Sequence, residues 1–296
     1  MPVVHTTVHG LPQLESTPLR SRERAVLMVE PTYFDVLYEI NPHMKGNIGT
    51  VDKALALKQW MDLRDTYRTI GFEVHTLQGV AGLPDMVFAA NQSFPFMTRE
   101  NRFKVILSKM ASDLRQPEVA YFAQWYRNNQ YDVIEQTNPP IEFEGMGDAI
   151  WHPSRRLLYI GYGFRTNFGA LQRAANCIGC DVVGLELINP HFYHLDTALS
   201  VIDEQTALYV PEAYTETGIA MLKKQFENLI SVPLLEAQVG FVTNGHSPDG
   251  HHFIVQKGNT HTVEALKSLG YIVVEVDTSE FMKSGGSVFC MKMMLP

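Results

Sequence analysis

Residues 148–162 read DAIWHPSRRLLYIGY, 168–179 read FGALQRAANCIG and 180–188 read CDVVGLELI. The first stretch has the pattern of an apolar hairpin, the second of a helix closed by Gly179, and the third of a strand. The same order recurs downstream. TALSVIDEQTALYV (197–210) precedes a helix and then SVPLLEA (231–237). FVTNGHSPDGHHFIVQ (241–256) precedes NTHTVEALKSLG (259–270) and YIVVEVD (271–277). Two looser copies upstream end in GFEVHTLQG (71–79) and QYDVIEQT (130–137). Five copies predict one domain in which each unit supplies a wedge around a shared axis. Strands alternating with helices give an α/β class, and the hairpins exclude a simple parallel sheet.

PDMVFAANQ (84–92), FEGMGDAI (143–150) and YHLDTALS (193–200) each open a unit. If the units are related by rotation, Asn91, Glu144, Asp148, His194 and Asp196 converge at one end of the axis. Residues 1–24 form a polar lead-in or flexible arm without an apolar leader, which leaves 25–296 as the domain.

The bulk numbers narrow the function. A hydrophobic content of 45% over 296 residues supports a sizeable core. A net charge of -8 with no Lys/Arg stripe excludes a nucleic-acid binder and slightly favours a cationic small substrate. Three cysteines make no disulfide framework, and no apolar run reaches membrane-spanning length. The expectation is a soluble cytoplasmic protein.

Helices are predicted from Thr50 to Ile70, over 119–129, from Asn167 to Ile178, from Thr217 to Leu229, and from a Thr260 cap to Leu269. The first shows helical spacing through Ala54, Leu57, Trp60, Met61, Leu63 and Tyr67. PDMVFAA, KVILSKM and the terminal SVFCMKMML read as strands.

Cys290 in an apolar terminal strand reads first as a core residue. The preceding KSGG changes that, because two glycines let backbone approach a ligand and Lys283 favours nearby negative charge. A thiolate there is a natural nucleophile. In YHLDT, strand spacing puts His194 and Asp196 on one face, where a carboxylate orients an imidazole. Glu144 and Asp148 either cap a turn or grip a cation, and Asp85 with Asn91 poses the same choice. Arg115 and Arg165 have the fork that suits an α-carboxylate. CIGC (177–180) lacks the partners of a zinc site, His251 and His252 read as solvated, and GYGFRTNFG lacks dinucleotide-loop spacing. No metal or organic cofactor is called for.

Taken together, FEGMGD, GYGFRTN, FYHLDT and the terminal SGGSVFC resemble the penteins, the guanidine-group-modifying enzymes, from about Val26 to Leu295. The resemblance implies a five-bladed α/β propeller of ββαβ-type units about a pseudo-fivefold axis. It implies Cys290 as nucleophile, His194 as general acid/base, Glu144 and Asp196 as guanidinium-contacting acids, Arg115 and Arg165 as the carboxylate clamp, and Asp148 as support. Arginine deiminases carry Asp where this chain has Asn91. With Asn41 in EINPHMKGN, that looks like the arginine dihydrolase branch, although AQVG (237–240) stands where that branch has an ACN segment. The implied chemistry is cysteine-dependent hydrolysis of a guanidino group through a thiouronium intermediate, with arginine going to ornithine, ammonia and carbon dioxide. An Asn can donate to a neutral ureido oxygen, which an ionised Asp cannot. Arginine deiminase, dimethylarginine hydrolase, amidinotransferase and a merely amino-acid-binding propeller are the alternatives. The expected partner is a small molecule, with homo-oligomerisation left open.

Overall fold

Each expected unit has a sheet of its own in the computed structural model, which describes residues 1–135 and 139–296. The end of the 130–137 copy, Gln136 and Thr137, lies outside the described residues. Among the described residues the fold is mixed α/β, in five separate sheets, none closed on itself. In the second unit, Ser93–Met97 pairs antiparallel with Phe103–Leu107. The helix Glu118–Asn128 then returns the chain to Asp132–Ile134, parallel to Phe103–Leu107. The third unit repeats this with Ala149–Trp151, Leu157–Tyr162, the helix Gly169–Ile178 and Asp181–Glu186. The fourth does so with Leu199–Val201, Thr206–Tyr209, the helix Glu216–Gln225 and Asn228–Ser231.

Two units depart from the pattern informatively. In the fifth, the opening strand has shrunk to one antiparallel bridge, His246 to Ile254, before His252–Gln256 and its parallel partner Ile272–Val276. In the first, the opening strand comes from the far end of the chain. Met293–Leu295 pairs antiparallel with Ala25–Val29, which the helix Lys53–Ile70 joins to Glu73–Leu77. The first unit thus needs both ends of the chain. The turn around Cys290 therefore opens a unit, as 91–92, 144–148, 194–198 and 244–245 do.

The sequence pattern explains the long helix and one error in its reading. Asp52 accepts from the amides of Ala54 and Leu55 at 3.0 Å each, a cap worth about 1 kcal/mol, and Gly71 closes the helix at φ 101°. The buried stripe is Ala56, Gln59, Trp60, Leu63 and Tyr67. Ala54, Leu57 and Met61, expected on it, face solvent. One hydrophobic cluster draws side chains from all five sheets.

Other expectations need correction. Pro84–Val87 is a 3-10 turn, because Pro at its start lacks the amide a strand ladder needs. His194 precedes a helical turn, Leu195–Ala198, so it and Asp196 do not share a strand face. Of SVFCMKMML only Met293–Leu295 is strand, and Cys290 lies in the turn before it. Thr260 is the first residue of its helix, Thr260–Ser268, and Asn259 holds the cap position. The helix expected to reach Leu229 ends at Gln225. Residues 1–24 are a packed lead-in. Val4–His5 adds a parallel strand beside Val182–Val183, and Val8, Leu11 and Leu14 pack on the core.

Candidate active site

The turns that open the first, second and fourth units meet at one small cavity, lined by Asp85, Asn91, Arg115, Arg165, His194 and Cys290, among others. Glycine permits the close approach. A Cβ on Gly147 would lie 2.3 Å from Asn91 Nδ2, and one on Gly145, at φ 55°, would lie 2.2 Å from the Ser93 carbonyl. The FEGMGD glycines thus bring the Glu144 turn against the Asn91 turn. The Met146 amide fixes that contact by donating to the Ala90 carbonyl at 2.8 Å.

Cys290 is 3% exposed. Its Sγ donates to Asp196 Oδ2 at 3.1 Å and accepts from Asn244 Nδ2 at 3.2 Å. Burial and the Asp196 carboxylate push the thiol well above its usual pKa, against the pull of the Asn244 hydrogen bond. Burial also raises Asp196 to about 7, although Cys290 and Lys292 act in the other direction. Its second oxygen, Oδ1, is buried without a partner. Cys290 and Asp196 thus form a buried acidic pair that a cation would relieve.

His194 Nε2 lies 2.7 Å from Glu144 Oε2, and its Nδ1 has no hydrogen bond among the described residues. Glu144 is held further by the Ala111 amide at 2.9 Å and by Arg165 Nη1 at 3.4 Å. Burial works against its charge, but His194 and the two arginines prevail and hold it down to about 2. It is a carboxylate throughout the neutral range. Asp148 stands behind, its two oxygens taken by Thr166 Oγ1 at 2.7 Å and the Leu195 amide at 3.1 Å. Burial raises it to about 7.

The two arginines differ. Arg165 donates to the Ile40 carbonyl at 3.0 Å and lies 4.8 Å over the Tyr193 ring, at the cavity wall. Arg115 grips Glu118 through Nε at 3.1 Å and Nη2 at 2.9 Å, reaches the Asp85 and Phe88 carbonyls, and donates to Asn91 Oδ1 at 2.9 Å. Most of its fork is committed, so the symmetric clamp expected of the pair gives way. Arg115 organises the wall around Asn91. Asp85 Oδ1 accepts from Ser284 Oγ at 2.7 Å, while its Oδ2 is buried and unpartnered. Asn41 also lines the cavity, but its oxygen caps the Pro42–Met44 turn and its nitrogen donates to the Ser284 carbonyl at 3.0 Å. Its side chain shapes a loop. Lys283, expected beside the site, is tied to Glu280 at 2.6 Å and the Thr50 carbonyl at 2.8 Å.

Three residues escaped the sequence reading. Asn244 was legible in principle, because FVTNGH opens the fifth unit at the register of FAANQ in the second. Its Oδ1 accepts the Ser287 amide at 2.9 Å, and its Nδ2 donates to the Asp196 carbonyl at 3.0 Å as well as to Cys290. Glu118 looks like an ordinary first-turn acid, and Lys292 looks like a strand lysine. Nothing in their neighbours signals that each is fully buried.

The family model described as N,N dimethylarginine dimethylhydrolase, eukaryotic, matches residues 39–295. An N(G),N(G)-dimethylarginine dimethylaminohydrolase of Mycobacterium tuberculosis is 35% identical over 91% of this chain and 85% of its own length. The bifunctional arginine dihydrolase/ornithine cyclodeaminase ArgZ of Synechocystis is 34% identical over 90% of this chain, which spans 37% of that longer protein. The crystal structure of the N-terminal domain of ArgZ bound to substrate, an arginine dihydrolase from cyanobacteria, superposes with a TM-score of 0.86. It is 32% identical and covers 92% of this chain and 97% of that one. The match runs along nearly the whole length, and the chain belongs to the N,N-dimethylarginine dimethylhydrolase family of guanidino C–N hydrolases, within the penteins.

Proposed function

We propose that this protein hydrolyses arginine in two rounds to ornithine, two ammonia molecules and carbon dioxide, using Cys290 as nucleophile. In this reading the five sheets are blades around the cavity. The strand order shared by the second, third and fourth units, and the meeting of the opening turns at Asn91, His194 and Cys290, support it.

A guanidinium beside Cys290 and Asp196 brings the positive charge that a buried thiolate lacks, and Asp196 Oδ2 is in place to take the thiol proton. Sulfur attacks the guanidinium carbon. His194, oriented by Glu144, gives a proton to the departing ammonia, leaving a thiouronium. His194 then takes a proton from the water that displaces sulfur, and a ureido group results. Arg165 suits the α-carboxylate and the free Asp85 Oδ2 the α-ammonium.

The observation that carries the second round is Asn91. Arg115 can only donate, so the Asn91 amide must turn its oxygen to Arg115. Its Nδ2 is left buried and unpartnered beside Gly147, in a residue that lines the cavity. That donor suits the oxygen of a neutral ureido group and retains the first product for a second attack by Cys290. Repetition at the same carbon releases the second ammonia and, after hydrolysis, ornithine and carbon dioxide. A second reading, hydrolysis of N,N-dimethylarginine, draws on the family match and the mycobacterial relative.

The test is product analysis with arginine, citrulline and N,N-dimethylarginine as separate substrates. Ornithine is expected from both arginine and citrulline, and Asn91→Asp is expected to accumulate citrulline while keeping the first round. Citrulline as the sole product, or turnover of the methylated substrate alone, overturns the two-round reading.

A further inference from the structure

Asn244 stands in FVTNGH (241–246) where Asn91 stands in FAANQ (88–92), three residues after a phenylalanine. Each has its side-chain oxygen tied down, which fixes where its nitrogen points. For Asn244, which is fully buried, the tie is double. Its Oδ1 accepts the Ser287 amide at 2.9 Å and the Cys290 amide at 3.3 Å, and its backbone carbonyl accepts the Phe289 amide at 2.8 Å. Reversing the side-chain amide would set its NH2 against two N–H donors. Nδ2 is therefore held as a donor, to the Asp196 carbonyl at 3.0 Å and to Cys290 Sγ at 3.2 Å.

The thiol needs such a donor. Asp196 Oδ2, at 3.1 Å from Sγ, can take its proton, but an acid opposes the negative charge left on sulfur. Other titratable or charged groups face the same space. Asp85, Arg115, Arg165, Tyr193 and His194 line the cavity with Cys290, and Lys292 acts on the thiol from two residues away. Sulfur is an anion twice in each hydrolytic round. It is one after Asp196 takes the proton and before the S–C bond forms, and again when water's oxygen has bonded to that carbon and the C–S electron pair returns to sulfur. A donor already in place meets both moments without reorganising.

We propose that Asn244 is a further catalytic residue, the fixed hydrogen-bond donor that stabilises the Cys290 thiolate each time it forms. This rests on Cys290 as nucleophile and is independent of the substrate and of the number of rounds.

The test follows the thiol without substrate. Alkylation of Cys290 by iodoacetamide is measured against pH in the whole protein, with the labelled peptide identified by mass spectrometry, because Cys177 and Cys180 are also free thiols. Asn244→Ala removes the donor and adds no charge. Asn244→Asp keeps the acceptor of the Ser287 and Cys290 amides, which favour its ionised form, and sets an oxygen where the donor was. Both should raise the pH midpoint of alkylation by about one unit or more, since the thiolate loses a charge-assisted hydrogen bond. Turnover should fall roughly 10- to 100-fold in kcat, with KM within about threefold of the wild type. A role confined to holding the turn predicts the other sign, because a loosened and better hydrated thiol ionises more readily. A midpoint unmoved or lowered in either folded variant, or a loss confined to KM, overturns the proposal. If one variant fails to fold, the other decides. An active, folded Cys290→Ser would overturn the nucleophile and this inference with it, whereas a failure confined to Asn244 leaves the nucleophile in place.

Discussion

The surroundings of Cys290 and of Lys292, two residues apart in one turn, differ in how their charges are matched. Around Cys290 stand Asp196, Glu144 and Asp85, with Arg115 already matched by Glu118. Around Lys292 stand arginines and an aromatic wall. Around Cys290 the charged groups have partners, whereas Lys292 has no carboxylate partner among the described residues. The difference shows that position in the turn decides chemistry more than residue type does. One turn places the buried thiol of Cys290 and, two residues later, the buried amine of Lys292.

The comparison breaks most severely at the sulfur. Cys290→Ser should keep the fold and lose activity by roughly a thousandfold or more, because a neutral hydroxyl is a poor nucleophile toward a delocalised cation. Near-normal turnover in a folded Ser variant, measured by ammonia release, would remove Cys290 from its role. Glu144→Gln comes next. It keeps the shape but loses the carboxylate on His194 Nε2, so kcat should fall roughly a hundredfold with KM moving less. A change confined to KM would make Glu144 a binding residue only. Arg165→Ala should mainly raise KM, by roughly tenfold or more, and agmatine, lacking the carboxylate, should be a poor substrate of the wild type. Equal efficiency on arginine and agmatine would contradict that assignment.

The smallest effect concerns stability. Asp196 sits at about 7 in the folded chain against an ordinary 3.8, so the folded chain keeps a proton that the unfolded chain releases in that window. Stability therefore falls as pH rises from about 4 to about 7. Asp196→Asn should flatten the fall and gain a few degrees in Tm near neutral pH relative to acid pH. Glu144 has the opposite sign. Its contribution is present above 4.5 and lost as pH falls toward about 2. A Tm profile unchanged in Asp196→Asn would mean that Asp196 is charged in the folded protein.

The repeat was legible because hydrophobic period and glycine stops are local, and each of the five sheets formed where a copy was read. His194, Glu144 and Asp196 were singled out by their place in the repeat, and Cys290 by the glycines before it and by the family resemblance. Partner choice was not local. Arg115 was read as a clamp because its capture by Glu118 depends on how a helix start packs against the Asn91 turn. His194 and Asp196 were assigned one strand face because four residues, Leu195–Ala198, wind into a turn that alternation cannot signal. Asn244 lay in a recognised copy, and comparing registers would have found it.

By itself, then, the sequence determined the class of fold, the number of units and the residues at their openings, all set by local periodicity and turn chemistry. Tertiary structure alone decided which charges are neutralised. It gave Arg115 a carboxylate and Lys292 none among the described residues, left the Asn91 donor buried without a partner, and set Asp196 against a thiol. Burial and pairing depend on chain segments far apart in sequence, and the cost of an uncompensated charge is set by what those segments bring to within a few ångströms.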